Sequence, residues 1–353
     1  MVFKVIEERL RALKLRKIEG DVNEDHLEVR FDPPPTAFWR FVQFAWGFAL
    51  VHYIFYGILA SIVAYLLRHI FAFRVITAVA FLAYQPSFWD GSELKLGRPW
   101  DKLRQHPIWT LTQAYFPAKL IRTKKLDPSK KYVFGWHPHG ILILSRIHVY
   151  GGVWELLFPG VPFRVLGASP MFKMPGCREI CLWMGAVDAG RKTAARVLKE
   201  GLSVAVYPGG SREIFSTDPN STETMIYLER RRGFVRLAML HGAELVPVFV
   251  FGEKQCYRRL NVPTSIRDWL LRVLKIPLIV FWGRWFTWYP FRATQTCVFG
   301  APIPTGPPMK EGETPSEEDV AAMHAKYTAA VVELFEKHKK AAGYRPEETL
   351  KVV

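Results

Sequence analysis

Two histidines separated by one proline, His137-Pro138-His139, and followed by Gly140, are the residues of this chain best suited to move a proton. An imidazole with an ordinary pKa of ~6.5 takes and returns a proton near neutrality, so this block is the expected general base. The plainer alternative is a turn whose histidines cap the backbone or face solvent. A second block, Tyr207-Pro208-Gly209-Gly210-Ser211-Arg212-Glu213, offers glycines that let the backbone approach a substrate and amides that can hold an oxyanion. Arg212 suits a phosphate, while Glu213 suits orienting a histidine or pairing with its neighbour. Ser211 lacks the Gly-x-Ser-x-Gly elbow, which disfavours it as a nucleophile. Arg230-Arg231-Arg232-Gly233-Phe234 sets three guanidiniums at a helix start, for phosphate capture or as a solvated basic face.

The elements that carry these blocks follow an α/β pattern beyond residue 125, with short apolar runs alternating with amphipathic segments. Lys131 to Trp136 reads as a strand feeding the histidines, and Leu202 to Tyr207 as a buried strand feeding the glycine loop. Helices are expected at Lys192 to Glu200, closed by Gly201, and at Arg232 to His241, closed by Gly242; a strand follows at Glu244 to Phe251. Ligands of open α/β sheets bind at the carboxyl ends of strands, which is where both blocks fall. Ser316 is placed to cap a last helix, Val320 to Lys340, whose stripe Val320, Met323, Tyr327, Val331 and Leu334 reads as packing. Leu278 to Phe281 with Trp282, Trp285, Phe286, Trp288, Tyr289 and Phe291 can shape an acyl tunnel, touch a membrane or fill a core.

Ahead of this domain, Phe41 to Leu67 holds 27 residues without Asp, Glu, Lys or Arg. As one helix at ~1.5 Å per residue it reaches ~40 Å, enough for a hydrocarbon core of ~30 Å. A second, shorter apolar stretch runs on to Trp89, interrupted by Arg74 and ended as a helix by Pro86. The pair is expected either as a membrane hairpin with its tip at Arg68 to Arg74 or as one span plus an interfacial piece. Residues 91–125 carry eight Lys and Arg against Glu93 and Asp101, which places the following domain in the cytosol and leaves the Asn220-Ser221-Thr222 sequon silent. Domain boundaries follow: an N-terminal cytosolic segment 1–37 with an accessory helix over Val2 to Lys17, a membrane hairpin 38–89, and a cytosol-facing α/β domain 90–353.

Composition excludes several classes. Half the residues are hydrophobic and 23% are charged, which rules out a disordered or low-complexity chain. The +16 balance, 48 Lys and Arg against 32 Asp and Glu, suits polyanions, but no nucleic-acid motif is present and a membrane segment would be superfluous to one. Four scattered cysteines, Cys177, Cys181, Cys256 and Cys297, fit a reducing compartment and nominate neither a disulfide framework nor a metal site.

Together, Tyr115-Phe116-Pro117, the block from Tyr132 through His137-Pro138-His139-Gly140, and Pro208 to Glu213 resemble the type-2 diacylglycerol acyltransferase family. So do Arg231 to Ala238, with Gly233 and Phe234, and His241 to Glu253, with Pro247 and Gly252. The resemblance covers about residues 40–345. It implies a glycerolipid-acyltransferase-like α/β domain on an endoplasmic-reticulum membrane, also at lipid droplets, moving an acyl group from acyl-CoA to diacylglycerol to give triacylglycerol. Acyl-CoA is then a substrate and no cofactor is implied; partners are acyl-CoA, diacylglycerol and membrane lipid, with homo-oligomerisation open. Family relatives acylate monoacylglycerol or long-chain alcohols instead, and a membrane-tethered lipid-binding scaffold without chemistry is the non-enzyme alternative. More distant glycerolipid acyltransferases use His-x4-Asp, but Leu142 and Leu144 stand at those positions here. Glu213 is therefore expected to orient the histidine, Gly209 and Gly210 to hold the oxyanion, and Arg212, Arg231 or Arg232 to meet CoA phosphates.

Overall fold

The computed structural model describes residues 2–260, 265, 266, 269 and 279–353. Thirteen strands are formed among the described residues: β1 (Arg16–Glu19), β2 (Leu27–Phe31), β3 (Lys119–Arg122), β4 (Tyr132–His137), β5 (Phe163–Gly167), β6 (Ala186–Asp188), β7 (Ser203–Val206), β8 (Glu223–Ile226), β9 (Glu244–Phe251), β10 (Arg258–Arg259), β11 (Phe281–Trp282), β12 (Thr296–Phe299) and β13 (Thr349–Val352). Nine of them make one sheet in the order β1-β2-β3-β12-β9-β4-β7-β5-β6. β4 sits between β9 and β7 and runs parallel to both, with Gly135 opposite Pro247 on one side and Val206 on the other. Their carboxyl ends therefore emerge together.

Alternation along each strand sends successive side chains to opposite faces. In β4, Tyr132, Phe134 and Trp136 enter the larger core, while Val133 enters the other core beneath the C-terminal helix Glu317–His338. His137 shares the Val133 face, two pleats on, and so is aimed at that helix rather than at solvent. The Ser316 hydroxyl accepts from the Asp319 amide at 3.0 Å, the expected cap, and Val320, Tyr327, Val331 and Leu334 are buried as the apolar stripe requires.

Residues 1–37 do more than supply the helix α1 (Val2–Ala12): β1 and β2 extend the main sheet through β3. Leu27, Val29 and Phe31 alternate inward, a period-two signal hidden by charged neighbours. The division expected after residue 37 thus separates helices but does not separate the sheet.

The 27-residue apolar stretch is not one straight helix. α2 (Ala37–Val51) and α3 (Tyr53–Leu66) meet at His52 with a bend of 68°. Packing explains the break, because α2 lies on the α/β domain: Gln43 is buried and donates to the Leu111 carbonyl at 2.8 Å, and the Trp46 indole donates to Thr112 at 2.9 Å. The His52 ring holds the corner, donating from Nδ1 to the Phe48 carbonyl at 2.8 Å and accepting the Trp288 amide at Nε2. α3 then leaves the domain, turns at Leu67–His69, and is followed by α4 (Phe71–Phe88), which continues through Pro86 instead of ending there. Neither α3 nor α4 has a buried residue; Phe71 is 71% exposed and Leu82 66%. An exposed apolar surface of that extent marks a contact with something apolar.

Buried charge ties α4 to the sheet domain. Arg178, on the helix Cys177–Trp183, bonds to Asp90 and Glu93 at 2.7 Å and to Glu179 at 3.2 Å, while Tyr84 of α4 donates to Glu179. Two of the eight basic residues counted in the sequence between 91 and 125 turn inward: Arg104 and Arg122 are buried, and Arg122 serves the carbonyls of Val22, Glu24, Asp25 and Leu157.

Removing one partner of a buried ion cluster leaves its counter-charges uncompensated. Arg178→Met is expected to destabilise the protein by about 3 kcal/mol, read as a lowered melting temperature in detergent; an unchanged melt would show that this cluster does not anchor α4.

Candidate active site

The carboxyl end of β4 delivers His137, Pro138, His139 and Gly140; that of β7 delivers Tyr207 to Gly210; and that of β9 delivers Gly252 and Glu253. Two buried carboxylates clamp these loops together. Glu213, from the helix Ser211–Ser216 behind the glycine loop, accepts the main-chain amide of His139 at 2.6 Å and that of Tyr227 at 2.9 Å. Glu253 accepts the amides of Leu144 and Ser145 at 2.9 and 3.0 Å, fixing the chain just after Gly140. Burial pushes both carboxyls up to about 7, opposed in each case by the amide bonds they accept.

The glycines follow from these clamps. A Cβ on Gly209 would overlap the Glu213 carboxylate, and one on Gly140 the Glu253 side chain, with Gly140 also at φ +64°. Glu213 thus meets the histidine block through the main chain of His139, not through an imidazole as the sequence suggested.

The two histidines differ. His137 is fully buried, and its Nε2 lies 3.0 Å from the Tyr327 hydroxyl, which itself donates to the Gly135 carbonyl. Since that hydroxyl has spent its proton on Gly135, it accepts from His137, so Nε2 carries the hydrogen and Nδ1 is the bare nitrogen. Nδ1 has no partner among the described residues, and burial, with a smaller push from His324, takes the ring down to about 3. His139 is partly exposed and stands edge-on to Tyr207 at 5.5 Å. Its Nδ1 donates to the Gly140 carbonyl at 2.9 Å, which leaves the lone pair on Nε2. Burial lowers its pKa, the Gly140 bond opposing.

Of the two amides expected to hold an oxyanion, that of Gly210 is engaged by the Tyr207 carbonyl at 3.1 Å. The Gly209 amide bonds to no acceptor among the described residues. Ser211 is exposed and makes no hydrogen bond to either histidine among the described residues. Arg212 and Arg231 line one cavity of about 190 Å³ with Tyr227, Glu229, Arg230 and Val353. Arg232 lines an adjoining space with His324, Thr328 and Val352, which shares Glu229 and Arg230 with the first.

The remaining motif residues are supports. Tyr115 donates to the Pro290 carbonyl at 2.6 Å, and Phe116 is buried against His148; Pro117 follows at the turn into β3. Phe234, after the helix start at Gly233, packs edge-on to Tyr327 at 4.9 Å. Pro247 lies in β9, and its carbonyl accepts the Gly300 amide; Gly252 takes φ +88° where a Cβ would strike Thr294. Tyr289 is buried between Phe44 and Tyr115, whereas Trp285 and Phe286 are exposed, so the late aromatic run divides between core and surface. Leu278, at the head of its apolar part, lies outside the described residues.

Sequence reasoning missed Tyr327, which looked like one more member of an apolar stripe. A hydroxyl at a stripe position was the available signal, because a buried phenol needs a partner.

The diacylglycerol acyltransferase family model matches residues 68–353 of the chain. The chain is similar to 2-acylglycerol O-acyltransferase 1 of Bos taurus, 30% identical over 346 residues, covering 92% of this chain and 99% of that one. It is 33% identical over 264 residues to 2-acylglycerol O-acyltransferase 3 of Homo sapiens, covering 70% and 76%. With diacylglycerol O-acyltransferase 2 of Xenopus tropicalis the identity is 31% over 294 residues, covering 78% and 79%.

Tyr327→Phe would strip both His137 Nε2 and the Gly135 carbonyl of their buried partner. A loss of about 1–3 kcal/mol is expected, measured by thermal unfolding; a variant as stable as the parent would remove Tyr327 from the support of the β4 turn.

Proposed function

The chain belongs to the diacylglycerol acyltransferase family and is an acyltransferase; on that premise we propose that it transfers a fatty acyl group from acyl-CoA to the free hydroxyl of diacylglycerol, with His139 as the general base. The observation that carries this reading is the convergence of His139, with its lone pair on Nε2, and the unengaged Gly209 amide at the ends of adjacent parallel strands. His137, locked to Tyr327 within the core, is the positioning residue of the pair.

In the proposed reaction the acceptor hydroxyl gives its proton to His139 Nε2 as its oxygen attacks the thioester carbonyl. The carbonyl electrons move onto oxygen, where the Gly209 amide donates to the negative charge. Collapse re-forms the carbonyl and breaks the carbon–sulfur bond; the thiolate takes the proton from the imidazolium and leaves as CoA thiol. Burial lowers the His139 pKa, which favours the neutral form a base requires. Arg212 and Arg231, sharing a cavity outside the glycine loop, would meet the phosphates of CoA. No metal or cofactor enters this scheme.

The apolar, unburied helices α3 and α4 support a membrane-embedded hairpin, which lets the site meet a lipid acceptor without extracting it into water. An endoplasmic-reticulum membrane with the sheet domain facing the cytosol, and lipid droplets, are the proposed locations. The four free, buried cysteines suit that compartment. Monoacylglycerol is the second acceptor reading, favoured by the names of two relatives, the 2-acylglycerol O-acyltransferases.

Membranes carrying the full chain, given labelled acyl-CoA with diacylglycerol, monoacylglycerol or a fatty alcohol, test the acceptor. Label in triacylglycerol supports the first reading, label in diacylglycerol the second, and transfer to none would favour a lipid-binding scaffold. His139→Ala should lower kcat by about 10²–10⁴, whereas His137→Ala should act mainly through a lowered melting temperature. Because the base works when neutral and its pKa lies below the ordinary ~6.5, the acid limb of kcat/KM against pH is expected below that value.

Charge reversal at Arg212 and Arg231 should raise KM for acyl-CoA by about 10- to 100-fold, the worth of a charge-assisted bond of ~1.5–3 kcal/mol, with KM for the acceptor little changed. An equal rise for both substrates would point to damaged folding.

A further inference from the structure

One cation near the site has no counter-charge among the described residues. Arg146 lies on the 3-10 helix Leu144–Val149, directly after the segment that Glu253 pins. Its Nε is buried without a partner, and its guanidinium makes no hydrogen bond or ion pair among the described residues. A cation held inside a protein without a carboxylate is costly, and arginine in particular suits a planar oxygen ligand. Its neighbours come from several elements: its charge acts on Tyr150, Cys181, Tyr207 and Tyr53, and also on His139 and Cys177.

Two of those neighbours open onto a cavity. Tyr53 and Cys177, in contact at 3.2 Å, line a space of about 950 Å³ between α3 and the segment Met174–Ile180. The rest of its wall is largely apolar, with Ile54, Ile58, Ile62 and Ile180 prominent. The volume falls at the upper end of the ~300–1,000 Å³ usual for a small-molecule pocket. Tyr53 and Cys177 of this wall both feel the Arg146 charge, as does His139, so an apolar chamber with those two residues at one end matches a long hydrocarbon chain ending in a carbonyl.

We propose that this cavity holds the fatty acyl chain of acyl-CoA, and that Arg146 binds the thioester carbonyl oxygen as it becomes an oxyanion. The assignment deepens the acyl-transfer reading and rests on it. As the acceptor oxygen bonds to the carbonyl carbon, the π electrons pass to oxygen and the guanidinium donates N–H to that charge. When the electrons return, the carbon–sulfur bond breaks and the sulfur receives the proton held by His139. Arg146 is then a catalytic residue, acting with the Gly209 amide.

Gly57 gives access to the chain site. It lines the cavity, and a Cβ there would meet no atom within 4 Å, so a larger side chain enters the space without displacing the helix. The full-length protein in membranes should be assayed with octanoyl-CoA and oleoyl-CoA for the parent, Gly57→Phe, Arg146→Gln and Arg146→Lys, with melting temperatures taken in parallel. Gly57→Phe is expected to lower kcat/KM for oleoyl-CoA by about tenfold or more while octanoyl-CoA stays near the parent value. Arg146→Gln should lower kcat about 10²–10³-fold with both donors, at little change in KM or melting temperature, and Arg146→Lys should recover part of the loss. An unchanged oleoyl-to-octanoyl ratio in Gly57→Phe overturns the chain site. Full activity in Arg146→Gln, or a loss that tracks a lowered melting temperature and is not eased by lysine, overturns the carbonyl role. A parent protein inactive with every acceptor would instead overturn acyl transfer itself, so the two failures are distinct.

Discussion

Three adjacent parallel strands govern this molecule. Because β9, β4 and β7 are hydrogen-bonded side by side and run the same way, the segments leaving them are forced to one edge of the sheet. Antiparallel pairing of any one would carry its loop to the opposite end of the strands. Parallel strands also need long crossovers, which is why blocks separated by tens of residues in the chain become neighbours.

Gathering three loops at one edge brings unpaired amides into a dry place, and two carboxylates answer them. Glu213 takes the amides of His139 and Tyr227, and Glu253 those of Leu144 and Ser145. Each sits tight against a glycine, so the small residues of the motifs are explained by the carboxylates as much as by a substrate. Behind them, Tyr327 joins the C-terminal helix to Gly135 and His137 and leaves His139 as the more accessible imidazole. Rigid support under one partly exposed base is what precise proton transfer requires.

The apolar helices are coupled to that edge by different physics. α2 is held by hydrogen bonds to the domain, and α4 by the ion cluster around Arg178, whereas α3 and α4 leave their own apolar surfaces uncovered. His52 marks the change from a helix packed on the domain to one without a buried residue. A lipid-facing lever fixed at both roots can present an apolar substrate to the sheet edge without burying itself in the core.

The sequence by itself determined the local features: the strands ending at the histidine and glycine blocks, the helix closed by Gly242, the Ser316 cap, the unbroken apolar composition, and the motif order that marks the family. Each depends on neighbours a few residues apart, where periodicity and capping chemistry operate. Tertiary structure alone decided that Glu213 grips a main-chain amide 74 residues away, and that Tyr327 meets His137 across 190 residues. It also decided that residues 16–31 join the sheet and that the long apolar stretch bends at His52. Those outcomes turn on which surfaces meet when strands from distant parts of the chain pair. A carboxylate, a phenol or a guanidinium has the same local pattern whether it faces solvent, a ring or a backbone amide. Its partner is chosen only when packing removes water and leaves one group within reach.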